Sequence, residues 1–323
     1  MSGHVIALCG GVGGAKLAFG LAQVLAPQDL TIVVNTGDDF VHLGLHISPD
    51  IDTVAYTLAG LSDRERGWGL AGETWTFMDQ IRRLGGEAWF QLGDRDLAMH
   101  VERTSRLAAG ESLSQVTTAL TQALGIRHPV VPMSDDPVRT IVETADGDLA
   151  FQRYFVGEQC RPMATGVRFE GAGAVSLSPA FAVALARRDV TAVIVCPSNP
   201  YLSIDPILSV PGVRHALAAL HAPIVAVSPI VGGRALKGPA AKLMTELGVT
   251  PGVTAVAAHY RGLLYGLVID RADADEAAAL HGLGVEPLVT ASVMISDEDR
   301  VRLARETLAF AAGLPSQGHR RAS

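Results

Sequence analysis

The chain has little cysteine: Cys9, Cys160 and Cys196 are the only ones among 323 residues, far apart and in no C-x-x-C pair. A disulfide framework is thereby excluded, and a reducing, cytoplasmic setting is the expectation. Long hydrophobic runs are missing too. Apolar stretches such as Ala192–Cys196 and Pro223–Ser228 end within a few positions, whereas a membrane span needs roughly 20 apolar residues. The N-terminus lacks a basic region ahead of its apolar run, so no signal peptide is expected. There is no Lys/Arg cluster. With Lys+Arg at 26 against Asp+Glu at 33, the net charge of −7 argues against nucleic acid or an anionic membrane as partner. No repeat and no low-complexity linker is visible. The residues that are abundant are apolar, 48% of the chain, which is ample for a buried core and excludes general disorder.

The organisation follows from short apolar runs that end in loop residues. Val5–Leu8 runs into Cys9-Gly10-Gly11-Val12-Gly13-Gly14, and a helical pattern follows with Leu17, Leu21, Val24 and Leu25 on one face. Leu30–Val34 ends in Asn35-Thr36-Gly37-Asp38-Asp39. Two buried strands with a helix between them predict a parallel βαβ unit. The same grammar returns at Val190–Cys196, Pro223–Val227 and Thr254–Ala258, read as strands, with helices at Val213–Leu220 and Pro239–Leu247. Residues 60–125 read as mostly helical and contain Trp68, Trp75 and Trp89, and Ile141–Val156 reads as a β-hairpin turning at Ala145–Asp148. The expected fold class is α/β: a Rossmann-like, doubly wound, mostly parallel sheet. Residues 1–59 and 171–315 form its core, 60–170 a largely helical insert with a hairpin, and 316–323 a polar, basic tail expected to fray.

Ligands of open α/β sheets bind beyond the carboxyl ends of the strands, and the unusual residues of this chain gather there. Gly10, Gly11, Gly13 and Gly14 let backbone amides approach an anion at a helix N-terminus, and Lys16 adds a cation. Leu17 stands where a Walker A loop needs Ser/Thr, and Lys16 where the dinucleotide fingerprint needs its third glycine, so neither named motif fits. Asp38, Asp39, Asp50 and Asp52 fall within fifteen residues. Hard oxygen ligands suit Mg²⁺, which takes one or two carboxylates and shares substrate phosphates; Asp39 and Asp52 are the expected ligands, the alternative being that Asp50 or Asp52 caps a helix starting at Thr53. In Leu92-Gly93-Asp94-Arg95-Asp96, a guanidinium flanked by carboxylates can fork onto phosphate or carboxylate, or form only a surface ion pair. Ser198, Asn199 and Ser203 follow another strand end. Gly232, Gly233, Lys237 and Gly238 form a second glycine-rich, cationic loop before a helix, hence a second phosphate cradle. His42 and His46 are spaced i, i+4, but Leu43 replaces the Glu of H-E-x-x-H, so zinc-protease chemistry has no support.

Taken together, these segments resemble the CofD family, the 2-phospho-L-lactate transferases of coenzyme F-420 biosynthesis. The resemblance runs from Gly10 to about Met294. It is carried by GGVGGAK at Gly10–Lys16, NTGDD at Asn35–Asp39, ISPDIDT at Ile47–Thr53, RGWG at Arg66–Gly69, LGDRD at Leu92–Asp96, PMSDDPV at Pro132–Val138, PSNP at Pro197–Pro200, SPIVGG at Ser228–Gly233 and KGPAAKLM at Lys237–Met244. Each is weak alone; their joint order is specific. The resemblance implies an Mg²⁺-dependent phosphotransferase. The terminal ribityl hydroxyl of the deazaflavin Fo attacks a guanosine diphosphate-linked three-carbon acid, built from 2-phospholactate, phosphoenolpyruvate or 3-phosphoglycerate, and GMP leaves. Asp39, Asp52, Asp94 and Arg95 are then the expected catalytic set. The two glycine loops, Ser198, Asn199 and Ser203 are the expected donor contacts. Asp38, Asp50, Trp68, Asp94, Arg95, Met133, Ser134, Asp135 and Asp136 are the expected acceptor contacts, with Asp94, Asp135 or Asp136 positioning the hydroxyl and accepting its proton. A homodimer is also implied. The rival readings are a non-catalytic nucleotide-sugar-binding regulator of a related type, in which the acceptor-side segments have less purpose, and a nucleotide-cofactor oxidoreductase, against which Lys16 in the fingerprint argues.

Overall fold

The computed structural model describes residues 3–315; the tail expected to fray lies outside the described residues. Strand β1 (His4–Cys9) is buried along its whole length, as a central strand of a sheet covered on both faces must be. Around it stand β2 (Leu30–Val34), β5 (Val130–Pro132), β9 (Val190–Val195), β10 (Ile224–Val227), β13 (Gly266–Asp270) and β14 (Glu286–Thr290). The order is β14-β13-β10-β9-β1-β2-β5, and every pairing is parallel. The Rossmann-like α/β expectation holds. The chain runs outward from β1 to β2 and β5 on one side, and to β9 and β10 on the other. The topological switch point therefore lies between β1 and β9.

Two cores form because β1 alternates its side chains. Val5, Ala7 and Cys9 pack under α1 (Gly11–Val24), α2 (Pro49–Leu58) and, near the C-terminus, α12 (Asp297–Gly313). Ile6 and Leu8 face α6 (Pro179–Ala186), α7 (Asp205–Ser209), α8 (Val213–Ala219), α9 (Ala240–Glu246), α10 (Val253–His259) and α11 (Ala277–Gly282). Residue parity on a strand thus sorts the sequence onto two faces.

Several expectations need correction. Thr254–Ala258, read as a strand, is part of α10, whose buried Val253, Val256 and Ala257 follow helical spacing. Strands β13 and β14 went unread in the sequence. The expected insert is interrupted, since β5 lies within it and pairs with β2 in the main sheet. The rest of that region contains α3 (Thr76–Arg83), α4 (Asp96–Ala108) and α5 (Leu113–Ala123), after a small hairpin of β3 (Phe40–His42) and β4 (Leu45–Ile47). The later hairpin exists as β6 (Arg139–Thr144) and β7 (Leu149–Ala150), but its second arm is two residues long, and the main partner of β6 is β8 (Ala164–Glu170). Finally, β11 (Ile230–Val231) and β12 (Arg234–Ala235) form a hairpin turning at Gly232-Gly233, both at positive φ. This loop is a two-residue hairpin turn and not the start of a helix; α9 begins only at Ala240.

Candidate active site

At the carboxyl ends of β1, β2 and β9 the chain places Gly10–Gly14, Asn35–Asp39 and Pro197–Ser203 side by side, with the first turn of α2 beneath them. The glycines serve this packing. A Cβ on Gly13 would strike the Pro197 carbonyl, and one on Gly14 the Ser198 hydroxyl. The Gly10 amide donates to Ser198 Oγ (3.1 Å) and the Gly11 amide to Asp50 Oδ1 (2.7 Å). Two amides expected to hold a phosphate are thus engaged within the protein, and the open end of α1, which has no side-chain cap, begins after them.

Asn35 ties the three segments together. Its Nδ2 donates to Asp50 Oδ2 (2.9 Å) and the Leu202 carbonyl (3.3 Å), and its Oδ1 accepts from the Gly37 amide (2.8 Å). Asn199 Oδ1 accepts from the amides of Tyr201 and Leu202, which leaves its buried Nδ2 without a hydrogen-bond partner among the described residues. Ser203 is buried against Gly10.

Asp38, Asp39 and Asp50 are all buried here, and one oxygen of Asp38 and one of Asp39 have no hydrogen-bond partner among the described residues. Burial, with the Asp50 charge next, pushes the Asp38 carboxyl well above the carboxylate range. Burial pushes Asp50 up to about 6, against hydrogen bonds from Asn35 and the Gly11 amide. Burial pushes Asp39 up to about 8, against the Ser48 hydroxyl, which donates to Asp39 Oδ2 at 2.7 Å, and the nearby Arg103 and Arg139. Adjacent acids that resist ionisation for want of a countercharge fit a divalent cation chemically. Among the described residues no three His, Cys, Asp or Glu side chains are arranged to hold a metal. Mg²⁺ itself needs only one or two protein carboxylates when substrate oxygens complete its shell.

Asp52, named from the sequence as a metal ligand, faces away from the site. Its Oδ1 takes Arg103 Nη2, its Oδ2 accepts from Arg103 Nη1 (3.1 Å), and His100 Nδ1 lies 3.7 Å from Oδ2. Arg103 is only 1% exposed. His100 reaches on to Asp96 (3.1 Å), whose other oxygen takes the Tyr56 hydroxyl. This chain of buried charges joins α2 to α4. Asp39 sits at its edge, near Arg103, whereas Asp38 is close enough to Asp50 to feel its charge, and Asp50 accepts from the Gly11 amide.

The expected acceptor residues are mostly braces. Asp94 accepts from the Thr74 hydroxyl (2.6 Å) and the amides of Thr76 and Phe77 (both 2.9 Å), and these bonds hold its carboxyl below the usual range. It caps α3, a poor property for a proton acceptor. The Arg95 amide donates to Glu73 and its Nη1 to the Ala71 carbonyl. Asp135 accepts from the Ser114 amide at the start of α5, Asp136 from the Ser176 amide, and Ser134 donates to the Ser176 carbonyl. Met133 is buried in the core. Trp68 is 43% exposed and stands edge-on to Trp75, with Arg66 against both rings. The Gly232 amide donates to Asp273, while Lys237 packs beside Gly67, where a Cβ would overlap its ammonium; Gly238, at positive φ, follows.

Sequence reasoning missed Arg103, Ser48, Tyr56 and Arg300. Only the i, i+4 spacing of Asp96 and His100 was a signal for the buried charges; their partners lie forty or more residues away.

A parallel sheet with helices on both faces, and a polar cluster at its switch point, defines this as a Rossmann-like α/β protein with its site where that architecture binds ligands. The family described as 2-phospho-L-lactate transferase CofD matches residues 5–287, and the chain belongs to it. It is 41% identical over 315 residues to a phosphoenolpyruvate transferase of Kitasatospora aureofaciens, covering 95% of this chain and 98% of that one. It is 38% identical over 300 residues to a 2-phospho-L-lactate transferase of Methanosarcina mazei, covering 93% and 98%. A crystal structure of a UPF0052-family protein from Bacillus halodurans superposes with a TM-score of 0.61 at 16% identity, covering 95% of this chain and 99% of that one, and shares the fold. The chain is thus a transferase of the phospholactate/phosphoenolpyruvate type.

Proposed function

We propose that the protein moves a phosphorylated three-carbon acid from a guanosine diphosphate-linked donor to the terminal ribityl hydroxyl of the deazaflavin Fo, releasing GMP, as a step of coenzyme F-420 biosynthesis. The observation that carries the reading is a pair of buried acids at the mouth of α1, Asp38 with one oxygen unpartnered among the described residues and Asp50 held by Asn35 and the Gly11 amide, in a chain whose relatives are named for phospholactate or phosphoenolpyruvate transfer. In the reaction the hydroxyl oxygen forms a bond to the phosphorus bearing the acid. The bond from that phosphorus to the bridging oxygen breaks, its electron pair leaves with GMP, and the hydroxyl proton passes to the departing phosphate or to water. Such transfers need alignment and charge neutralisation more than covalent help. Bound Mg²⁺ would supply neutralisation of the phosphate oxygens; Asp38 and Asp50 would hold it. Asn35 orients Asp50. The N-terminal turn of α1 and Asn199 Nδ2 are left to face the diphosphate. Asp94, Asp135 and Asp136 keep their segments in place, and the acceptor meets the segments they brace.

The test is turnover with Fo, Mg²⁺ and donors carrying each of the three acids, read by mass spectrometry. A deazaflavin product heavier by one phospho-acid, formed with GMP, supports the reading. Binding of a nucleotide sugar with no turnover of any donor would favour the regulator.

A further inference from the structure

A second polar feature flanks the N-terminal turn of α1 on the side of α2 and α12. A cavity of about 60 Å³ is enclosed by α1, α2, the segment after α2 and the start of α12. Lys16, Arg64, Lys237 and Arg300 line it, with Asp63 as the one carboxylate among the lining residues. Asp63 is engaged already: it pairs with Arg66 (3.7 Å) and accepts from the amides of Glu65 and Arg66. In a protein whose net charge is −7, this is a local surplus of cations.

Arg300 makes the cavity a built site. It is 4% exposed, its Nη1 pairs with Asp297 (3.0 Å), and its guanidinium lies over Phe19 (5.3 Å). Its buried Nε has no hydrogen-bond partner among the described residues. Such a donor is destabilising when nothing accepts from it. Lys16 Nζ spends one bond on the Met294 carbonyl (2.8 Å) and retains its other protons. Burial, with Arg300 and Lys237 close by, pushes the Lys16 ammonium below its usual range, the mark of cations without a countercharge. Gly67 lets the Lys237 ammonium come in against the wall.

Size restricts the ligand. A cavity that takes benzene measures about 150 Å³, so a pocket of about 60 Å³ suits a carboxylate or one phosphate better than a nucleobase or a ribose. Position restricts it further. Val12 and Lys16 both line the cavity and lie one helical turn apart on α1, so the cavity adjoins the turn assigned above to the diphosphate. The two acids in the relatives' names differ in saturation and share one group: a carboxylate on the carbon that bears the phosphate oxygen. We infer that this cavity seats the carboxylate of the donor's three-carbon acid, with Arg300 and Lys16 as its countercharges and Lys237 closing it. The inference rests on the functional reading above and adds to it where specificity for an acid-bearing donor resides.

Calorimetric titration of the whole chain, with Mg²⁺ present, tests it using GDP, phosphoenolpyruvate and inorganic phosphate as separate probes. In Arg300→Gln we expect phosphoenolpyruvate affinity to fall tenfold or more, while GDP and inorganic phosphate stay within twofold. Lys16→Gln, at a less buried position, gives the same pattern if Arg300→Gln folds poorly. Inorganic phosphate falling as far as phosphoenolpyruvate would make the cavity a phosphate seat and overturn the inference. So would an equal loss of GDP, unchanged phosphoenolpyruvate binding in both variants, or no phosphoenolpyruvate binding to the unaltered protein. GDP binding to the unaltered protein is scored separately: its absence would sink the guanosine-donor reading while leaving the carboxylate seat to be judged on its own probe.

Discussion

At the scale of single residues, the site is governed by carboxylates that burial has deprived of water. Asp39 is the clearest case. Its ordinary value is 3.8, and the folded protein raises it to about 8. Between these values the native state retains a proton that the unfolded chain has lost, so stability falls as pH rises through that window. Asp39→Asn removes the titration. We expect the ligand-free variant to gain little at pH 4 and roughly 1–3 kcal/mol near pH 8, the usual scale for a buried group lacking a partner, measured by urea unfolding across pH. A gain independent of pH would contradict this account. Asp52 predicts the opposite behaviour. Removing Arg103 leaves its carboxylate buried and unpaired, so Arg103→Met is expected to cost about 3–5 kcal/mol, and the Arg103→Met/Asp52→Leu double variant to recover most of it. The residue types of Asp39 and Asp52 are equal in the sequence; only the arginine brought in from α4 separates their roles.

At the scale of elements, short stretches were read well where composition and local geometry agree. The turn after β1 and the run of β2 were legible because a buried parallel strand is a plain apolar run that ends in polar or glycine residues. The same rule misread α10, where a seven-residue apolar stretch fits either period. LGDRD was read as chemistry and turned out to be capping: Asp94 takes the first amides of α3. Asp94→Ala is therefore expected to lower the melting temperature slightly and to leave GDP affinity unchanged, by calorimetry. A collapse of GDP binding without loss of stability would return Asp94 to the donor site. SPIVGG was likewise overread. Gly232 and Gly233 both have positive φ because they turn a hairpin, and a substitution there acts through backbone strain.

At the scale of the whole molecule, the order of strands decides where function sits. Because β1 is flanked by β2 on one side and β9 on the other, loops from residues 10, 35 and 198 meet, and α2 carries Asp50 beneath them. If Asp38 and Asp50 hold a cation, Mg²⁺ stabilises the native state by mass action, about 2.7 kcal/mol at a hundred times its Kd. The expected result is a melting temperature that rises with Mg²⁺ in the unaltered protein and in Asp52→Asn but not in Asp50→Asn, followed by scanning calorimetry with Ca²⁺ as a second probe. A rise lost equally in Asp52→Asn would restore that residue to the metal.

The sequence by itself determined the fold class, the family and the neighbourhood of the site. Hydrophobic period, glycine turns and the order of motifs are local properties, and strand-end loops converge in any doubly wound sheet. It also gathered four acids into the Asp38–Asp52 stretch. What only the tertiary structure decided is how those acids divide. Asp52 is neutralised by Arg103, Asp39 accepts from Ser48 beside it, Asp50 is held by Asn35 and the Gly11 amide, and Asp38 is left with an oxygen unpartnered among the described residues. Burial and countercharge are set by residues distant along the chain, and these two quantities fix whether a carboxylate is a brace, a proton store or a ligand. The cation cavity is of the same kind: Lys16, Lys237 and Arg300 share no motif, and packing α12 against α1 brings them to one wall.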